Sequence, residues 1–181
     1  CKFLISNGYK NIYYENKKFN IINNYKPVIF SDDETILLFR TMDKYKNQYK
    51  GKKYYRLYYS YCIIFRLLYA CGLRVSEVVK ITIENINFND NTINIMDSKR
   101  HTSRLVVFSN SMKICLENYI KLFNIENGLI FKNSRNRIIS CESIRKYYNK
   151  ILELCNLNKN SHVHDLRHCF CNKALNQMLE K

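Results

Sequence analysis

Residues 161–168 read Ser161-His162-Val163-His164-Asp165-Leu166-Arg167-His168, three histidines and an arginine within seven positions. If the chain is helical from Asp165 onward, positions three apart share a face. His164 and Arg167 then point the same way, while Leu166 and Phe170 turn toward a core. The first turn of a helix already offers unpaired N–H groups and the positive end of its dipole, so an arginine and a histidine added there suit one phosphate. The same residues also fit a plain helix start with a surface arginine and one capping histidine, and the stretch alone leaves both readings open.

Working outward, Ala70-Cys71-Gly72-Leu73-Arg74-Val75-Ser76-Glu77 closes a long apolar helix with a glycine and sets Arg74 just before a short helical run. An ordinary helix end has no need of that arginine. The helix it closes, from about Tyr54 to Cys71, puts Leu57, Tyr61, Ile64, Phe65 and Leu68 on one stripe, and its many tyrosines read as core-edge side chains with hydroxyls at the surface. Upstream, Pro27 precedes a capping box, Ser31-Asp32-Asp33-Glu34, which starts a helix carrying Ile36, Leu37, Phe39 and Arg40. Lys44 to Lys53 reads as a basic loop, either solvated or facing an anionic partner.

Downstream of Arg74 the period changes. Ile86 and Phe88, Ile93 and Ile95, and Leu105 and Val107 alternate with polar residues, which predicts three short antiparallel strands with turns at Asn89-Asp90-Asn91 and at Asp97 to Thr102. The second tip is strongly basic. Helices return from Ser111, with Ile114, Leu116, Tyr119, Ile120 and Phe123, and from Ser140 to about Leu154. In the latter, Ile144, Tyr147, Tyr148, Ile151 and Leu154 face inward and Arg145, Lys146 and Lys150 outward; a basic loop, Lys132 to Arg137, separates the two. The expected fold class is mainly α with a small three-stranded antiparallel sheet, an α+β domain.

A chain of 181 residues, 46% hydrophobic and 25% charged, holds one sizeable core. Its net charge of +15 calls for an anionic partner to offset self-repulsion, and nucleic acid leads that class; a compositional bias toward Asn, Lys, Ile and Tyr is the bland alternative. The eight cysteines include no C-x-x-C pair, and Cys62, Cys71, Cys115, Cys155 and Cys171 fall in apolar helical patterns where a thiol acts as a small hydrophobe. Cys169 and Cys171 lie two apart on a helix and cannot both reach one ion, so no metal and no cofactor is expected. A reducing cytoplasm fits this cysteine usage, and Arg66 interrupts the longest apolar run, so no membrane span is expected.

Taken together, Gly72-Leu73-Arg74-x-Ser76-Glu77 ninety residues before His164-x-Leu166-Arg167-His168, with a basic hairpin between, resembles the tyrosine recombinase (phage integrase) family from about Pro27 to about Leu179. The resemblance implies a metal-independent site-specific recombinase acting on duplex DNA and self-associating on it as a synaptic tetramer. It assigns catalytic roles to Arg74, Lys99, His164 and Arg167, and leaves Arg100, Arg104 and His168 as further DNA contacts. The two planar guanidinium forks suit a phosphodiester whose charge spreads over its non-bridging oxygens as a fifth ligand arrives. His164 would bond the phosphate or take the nucleophile's proton, and Lys99 would protonate the departing 5′ oxygen.

In that family a tyrosine beyond the second arginine attacks and leaves a 3′-phosphotyrosyl bond that stores the energy for rejoining. None of the fifteen tyrosines here follows Arg167. The expectation is therefore a catalytic domain over residues 27–181 whose C-terminal end and nucleophile lie beyond the chain, preceded by a remnant of an N-terminal domain or linker over residues 1–26. Alone it should not cleave DNA. The alternatives are a non-catalytic DNA-binding remnant or regulator of the same fold, and an unrelated basic nuclease using His162, His164 and His168 with a metal.

Overall fold

The first helix, α1 (Asp32–Asn47), begins where its capping box predicts: the Ser31 hydroxyl accepts from the Glu34 N–H at 3.2 Å and Glu34 accepts from the Ser31 N–H at 2.8 Å. The computed structural model describes residues 25–97, 102–157 and 160–179. α1 runs further than the basic loop expected from Lys44. Met42 is fully buried, and Asp43 receives Arg66 at 2.6 Å and Lys46 at 3.3 Å, so tertiary contacts carry the helix one more turn through a lysine-rich stretch.

The second helix, α2 (Tyr55–Cys71), is the centre of the fold. It is buried well beyond one stripe: Ser60 to Phe65, Leu67, Leu68 and Cys71 are all inside, because α1 (Asp32–Asn47), α3 (Val75–Val78), α4 (Asn110–Leu122) and α6 (Asp165–Leu179) pack around it. Among its tyrosines Tyr61 is a core residue at 4% exposure, contrary to the surface-hydroxyl reading. Ser60, also buried, bonds the Tyr119 hydroxyl at 2.6 Å, which satisfies both groups in the apolar interior.

After α3 come a 3-10 turn and the sheet. β1 (Ile86–Asn87), β2 (Thr92–Asp97) and β3 (Thr102–Val107) are antiparallel in the order β1-β2-β3, with Ile86 opposite Ile93 and Ile93 opposite Val106. That register overturns one expectation. Cross-strand partners share a face, so Val106 joins Ile93 on the covered side while Leu105 and Val107, opposite Asn94 and Thr92, are about 70% exposed. The basic tip at 98–101 lies outside the described residues.

α4 buries Met112, Leu116 and Tyr119, and α5 (Cys141–Cys155) buries Ile144, Tyr147, Tyr148, Ile151 and Leu152. Leu154, assigned inward, and Ile114, part of the apolar pattern of α4, are instead more than half exposed, since the neighbouring helices cover a narrower arc than the apolar pattern spans. α5 packs on α1, and Tyr147 stacks on Tyr61 with ring centroids 4.5 Å apart. Of the cysteines, Cys62, Cys71, Cys155 and Cys169 are core residues, with the Cys62 and Cys71 thiols pushed up to about 11 by burial. Cys171, expected in an apolar pattern, is exposed. No described helix is long and apolar enough to cross a membrane.

Candidate functional site

Arg74 owes its position to how α2 ends. Gly72 is the C-cap in the left-handed region at φ +60°, and a Cβ there would meet Phe170 of α6, with Cε1 at 2.7 Å. Glycine is needed twice over, for the turn and for the close approach of α6. The chain then extends through Arg74, whose N–H donates to Glu77 Oε2 at 2.7 Å and whose Nη1 donates to Glu77 Oε1 at 3.1 Å. The Arg74 side chain remains 53% exposed, held from one side.

Glu77 is shared. Arg104 of β3 grips the same carboxylate with both Nη atoms, at 2.9 and 2.8 Å, and so fastens the sheet to the Arg74 turn. Burial works against ionisation of Glu77, but the bonds from Arg104 and from the Arg74 N–H, with the charge of Arg104, outweigh it and hold the carboxyl down at about 2. Arg104, expected as a DNA contact, thus has a structural partner. Glu77 lies within the Gly72–Glu77 motif, and its position three residues after Arg74 on a helix is the sequence signal for this pairing.

Arg167 reaches the same place from the other box. In the first turn of α6 its Nη1 donates to the carbonyl of Gly72, two residues before Arg74. His164 lies just before α6, its ring edge-on to His168 with centroids 5.0 Å apart. Burial lowers the His164 pKa, the positive charges of His168 and Arg167 lower it further, and Arg74 is near enough to add to the effect. Arg74, Arg167 and His168 thus all lie near enough to His164 to act on its charge. Lys99 and Arg100 lie outside the described residues.

His162 is drawn elsewhere. Its Nδ1 is 3.0 Å from the Tyr25 hydroxyl, and that hydroxyl donates at 2.5 Å to Asp165, a fully buried carboxylate. Asp165 also accepts from the His162 N–H at 2.8 Å and the Ser161 hydroxyl at 3.2 Å. This network ties the first residue of α6 to the segment just before it and to Tyr25, and so fixes the helix start that carries His164 and Arg167. Tyr25, 140 positions away, gave no sequence signal for such a role. Among the described residues no group of three His, Cys, Asp or Glu side chains is arranged to hold a metal ion.

Two arginines from distant boxes and a histidine disposed to be neutral suit an oxyanion: the forks hold it and the imidazole can accept a proton. The family model described as "Phage integrase family" matches residues 34–180. The chain belongs to the phage integrase family. It is 29% identical over 157 residues to the tyrosine recombinase XerC of Staphylococcus carnosus (strain TM300), covering 84% of this chain and 50% of that protein. This phage integrase domain thus spans about half the length of the curated relatives it matches.

Solved structures share its fold. The XerA recombinase superposes with a TM-score of 0.67 at 22% identity, over 86% of this chain and 52% of that one. The lambda integrase catalytic core gives 0.63 at 14% identity, over 84% and 85%. The XerH site-specific recombinase bound to palindromic difH substrate gives 0.64 at 18%, over 81% and 42%. The mainly helical architecture with one small antiparallel sheet is that of a tyrosine recombinase catalytic domain.

Proposed function

We propose that this chain is the catalytic domain of a site-specific recombinase that breaks and rejoins duplex DNA without a metal, through a 3′-phosphotyrosyl intermediate. The observation that supports the reading is the bond from Arg167 to the Gly72 carbonyl, which ties together two arginine-bearing boxes far apart in sequence. Arg74 and Arg167 hold the non-bridging oxygens of the scissile phosphate, and His164, favoured neutral, bonds the phosphate or takes a proton from the nucleophile. Lys99 moves the proton of the 5′ oxygen, while Arg100, Arg104 and His168 add contacts to the DNA. The net charge of +15 supports duplex DNA as the partner, and the DNA-bound XerH relative in fold supports it further. The attacking tyrosine comes from outside residues 1–181, and the domain works within a tetramer assembled on DNA.

Rejoining needs no tyrosine of this chain if the phosphotyrosyl bond is replaced by a mimic. A duplex end carrying a 3′-nitrophenyl phosphate is offered a strand with a 5′ hydroxyl in EDTA. The 5′ oxygen attacks phosphorus, the aryl–oxygen–phosphorus bond breaks, nitrophenolate leaves and the hydroxyl proton passes to a protein base. We expect slow joining that is lost in Arg74→Ala and Arg167→Ala. DNA binding with no joining would favour the alternative, a DNA-binding remnant of the same fold, and joining only with added Mg²⁺ would refute the metal-free mechanism.

A further inference from the structure

At the end of α2 remote from Arg74, a cavity of about 290 Å³ opens between the first turn of that helix and the loop closed by the Lys132–Ile138 bridge. Lys53, Arg56, Lys132, Asn133, Ser134 and Asn136 line it, and no carboxylate does. Three cations gathered without a counter-charge repel one another, an arrangement expected to splay into water unless something holds it. Here Arg56 is held: its guanidinium sits over the Phe123 ring, 5.6 Å from the centroid, and its Nε–H is buried with no hydrogen-bond partner. Among the described residues none of the three cations is in an ion pair.

The helix end strengthens the case. α1 starts with a capping box and three acidic residues, whereas α2 starts at Tyr54 with no side-chain cap and no acidic residue in its first turn. Arg56 lies in that turn and Lys53 just before its N-cap, against the helix dipole, so an anion placed there is attracted by the dipole and by all three side chains at once. The volume admits a phosphate with some of its water. We propose that this cavity is a second phosphate-binding site, which holds a backbone phosphate of duplex DNA. This deepens the reading of the chain as a DNA-acting domain and rests on it for the source of the phosphate.

The geometry sets the separation. From Arg56 to Cys71 α2 rises about 22 Å at ~1.5 Å per residue, so the two sites stand at opposite ends of that helix. A clamp at that separation would fix the angle of the DNA on the domain without reading its sequence.

The test has two arms on the 181-residue chain. In the first, inorganic phosphate is titrated and the amide resonances of Ser134 and Asn136 are followed; they should shift in the parent and stay still in Ser134→Asp, which puts a negative charge in the cavity. No shift in the parent overturns the site. In the second, duplex binding is measured across salt for Lys132→Gln, an outer-loop change that spares the core, and for Ser134→Asp. Each should weaken binding roughly threefold to tenfold at low salt, and Lys132→Gln should reduce the salt slope by about one. Unchanged affinity and slope in both variants overturn DNA as the source of the phosphate. Phosphate-induced shifts in a chain that binds no duplex would do the same while refuting the DNA reading itself, which separates the two failures.

Discussion

The Arg167 guanidinium donates to the carbonyl of Gly72, so one hydrogen bond ties the helix bearing the second arginine to the turn bearing the first. It also orients Arg167, since a planar fork bonded on one edge presents the other in a fixed direction. Replacing Arg167 with Lys keeps the charge and loses the fork. We expect Arg167→Lys to lower stability by about 1–2 kcal/mol in denaturant titrations, in the range of a hydrogen bond from a charged donor, and to abolish joining of the nitrophenyl substrate. Joining at the parent rate would show that charge alone suffices.

Gly72→Ala tests the same junction from the other side. Alanine is strained at φ +60° and its Cβ would press on Phe170, so α6 must shift to make room. The expected cost is about 1–3 kcal/mol. Because the movement displaces Arg167 and Arg74 together, weakened duplex binding should accompany the lower Tm.

Glu77 makes stability pH-dependent. Its carboxyl, held at about 2 against an ordinary 4.5, binds protons more weakly in the folded state than in the unfolded one. Its contribution is therefore complete above the unfolded value and is lost as pH falls from 4.5 toward 2. Its two arginine partners are 41–53% exposed, which screens the ion pairs, and about 1–2 kcal/mol remains. Glu77→Gln should lose that amount at neutral pH and flatten the acid limb of the stability profile; a parallel limb in parent and variant would assign the acid sensitivity to another group.

His164 should gain protons when DNA binds. In the free protein burial and the neighbouring cationic groups hold its pKa below the ordinary histidine value of 6.5. A phosphate seated against it reverses the sign of the local field, so its imidazole resonances should titrate at higher pH in the duplex complex than in the free chain. An unmoved titration would put the phosphate out of its reach.

Tyr25 and Asp165 bear on stability through a buried charge. Tyr25→Phe removes one bond to a carboxylate that keeps two others, at about 1–2 kcal/mol, and Asp165→Ala leaves the His162 N–H without its acceptor and the Ser161 hydroxyl with Tyr148 alone, at about 2–3 kcal/mol. Amide exchange in the first turn of α6 should quicken in the same order. Burial and the bond to Asp165 push the Tyr25 hydroxyl up to about 12, so this link should persist through mildly alkaline pH.

Much of this protein is local and was legible in the sequence. The Ser31–Glu34 box starts α1, Gly72 ends α2, and the change of period after Arg74 marks the sheet, because caps, left-handed turns and alternation depend on residues a few positions apart. The two boxes were also legible, as patterns. Their meeting was decided only by the packing of α6 against α2, and the same is true of the bonds from Arg104 to Glu77 and from Tyr25 to Asp165, which join residues 27 and 140 positions apart. The outward turn of Leu105, Val107, Ile114 and Leu154 belongs with these tertiary outcomes. Periodicity says which side chains share a face, but strand register and the width of the opposing helix settle which face is covered, and neither is encoded within the segment itself.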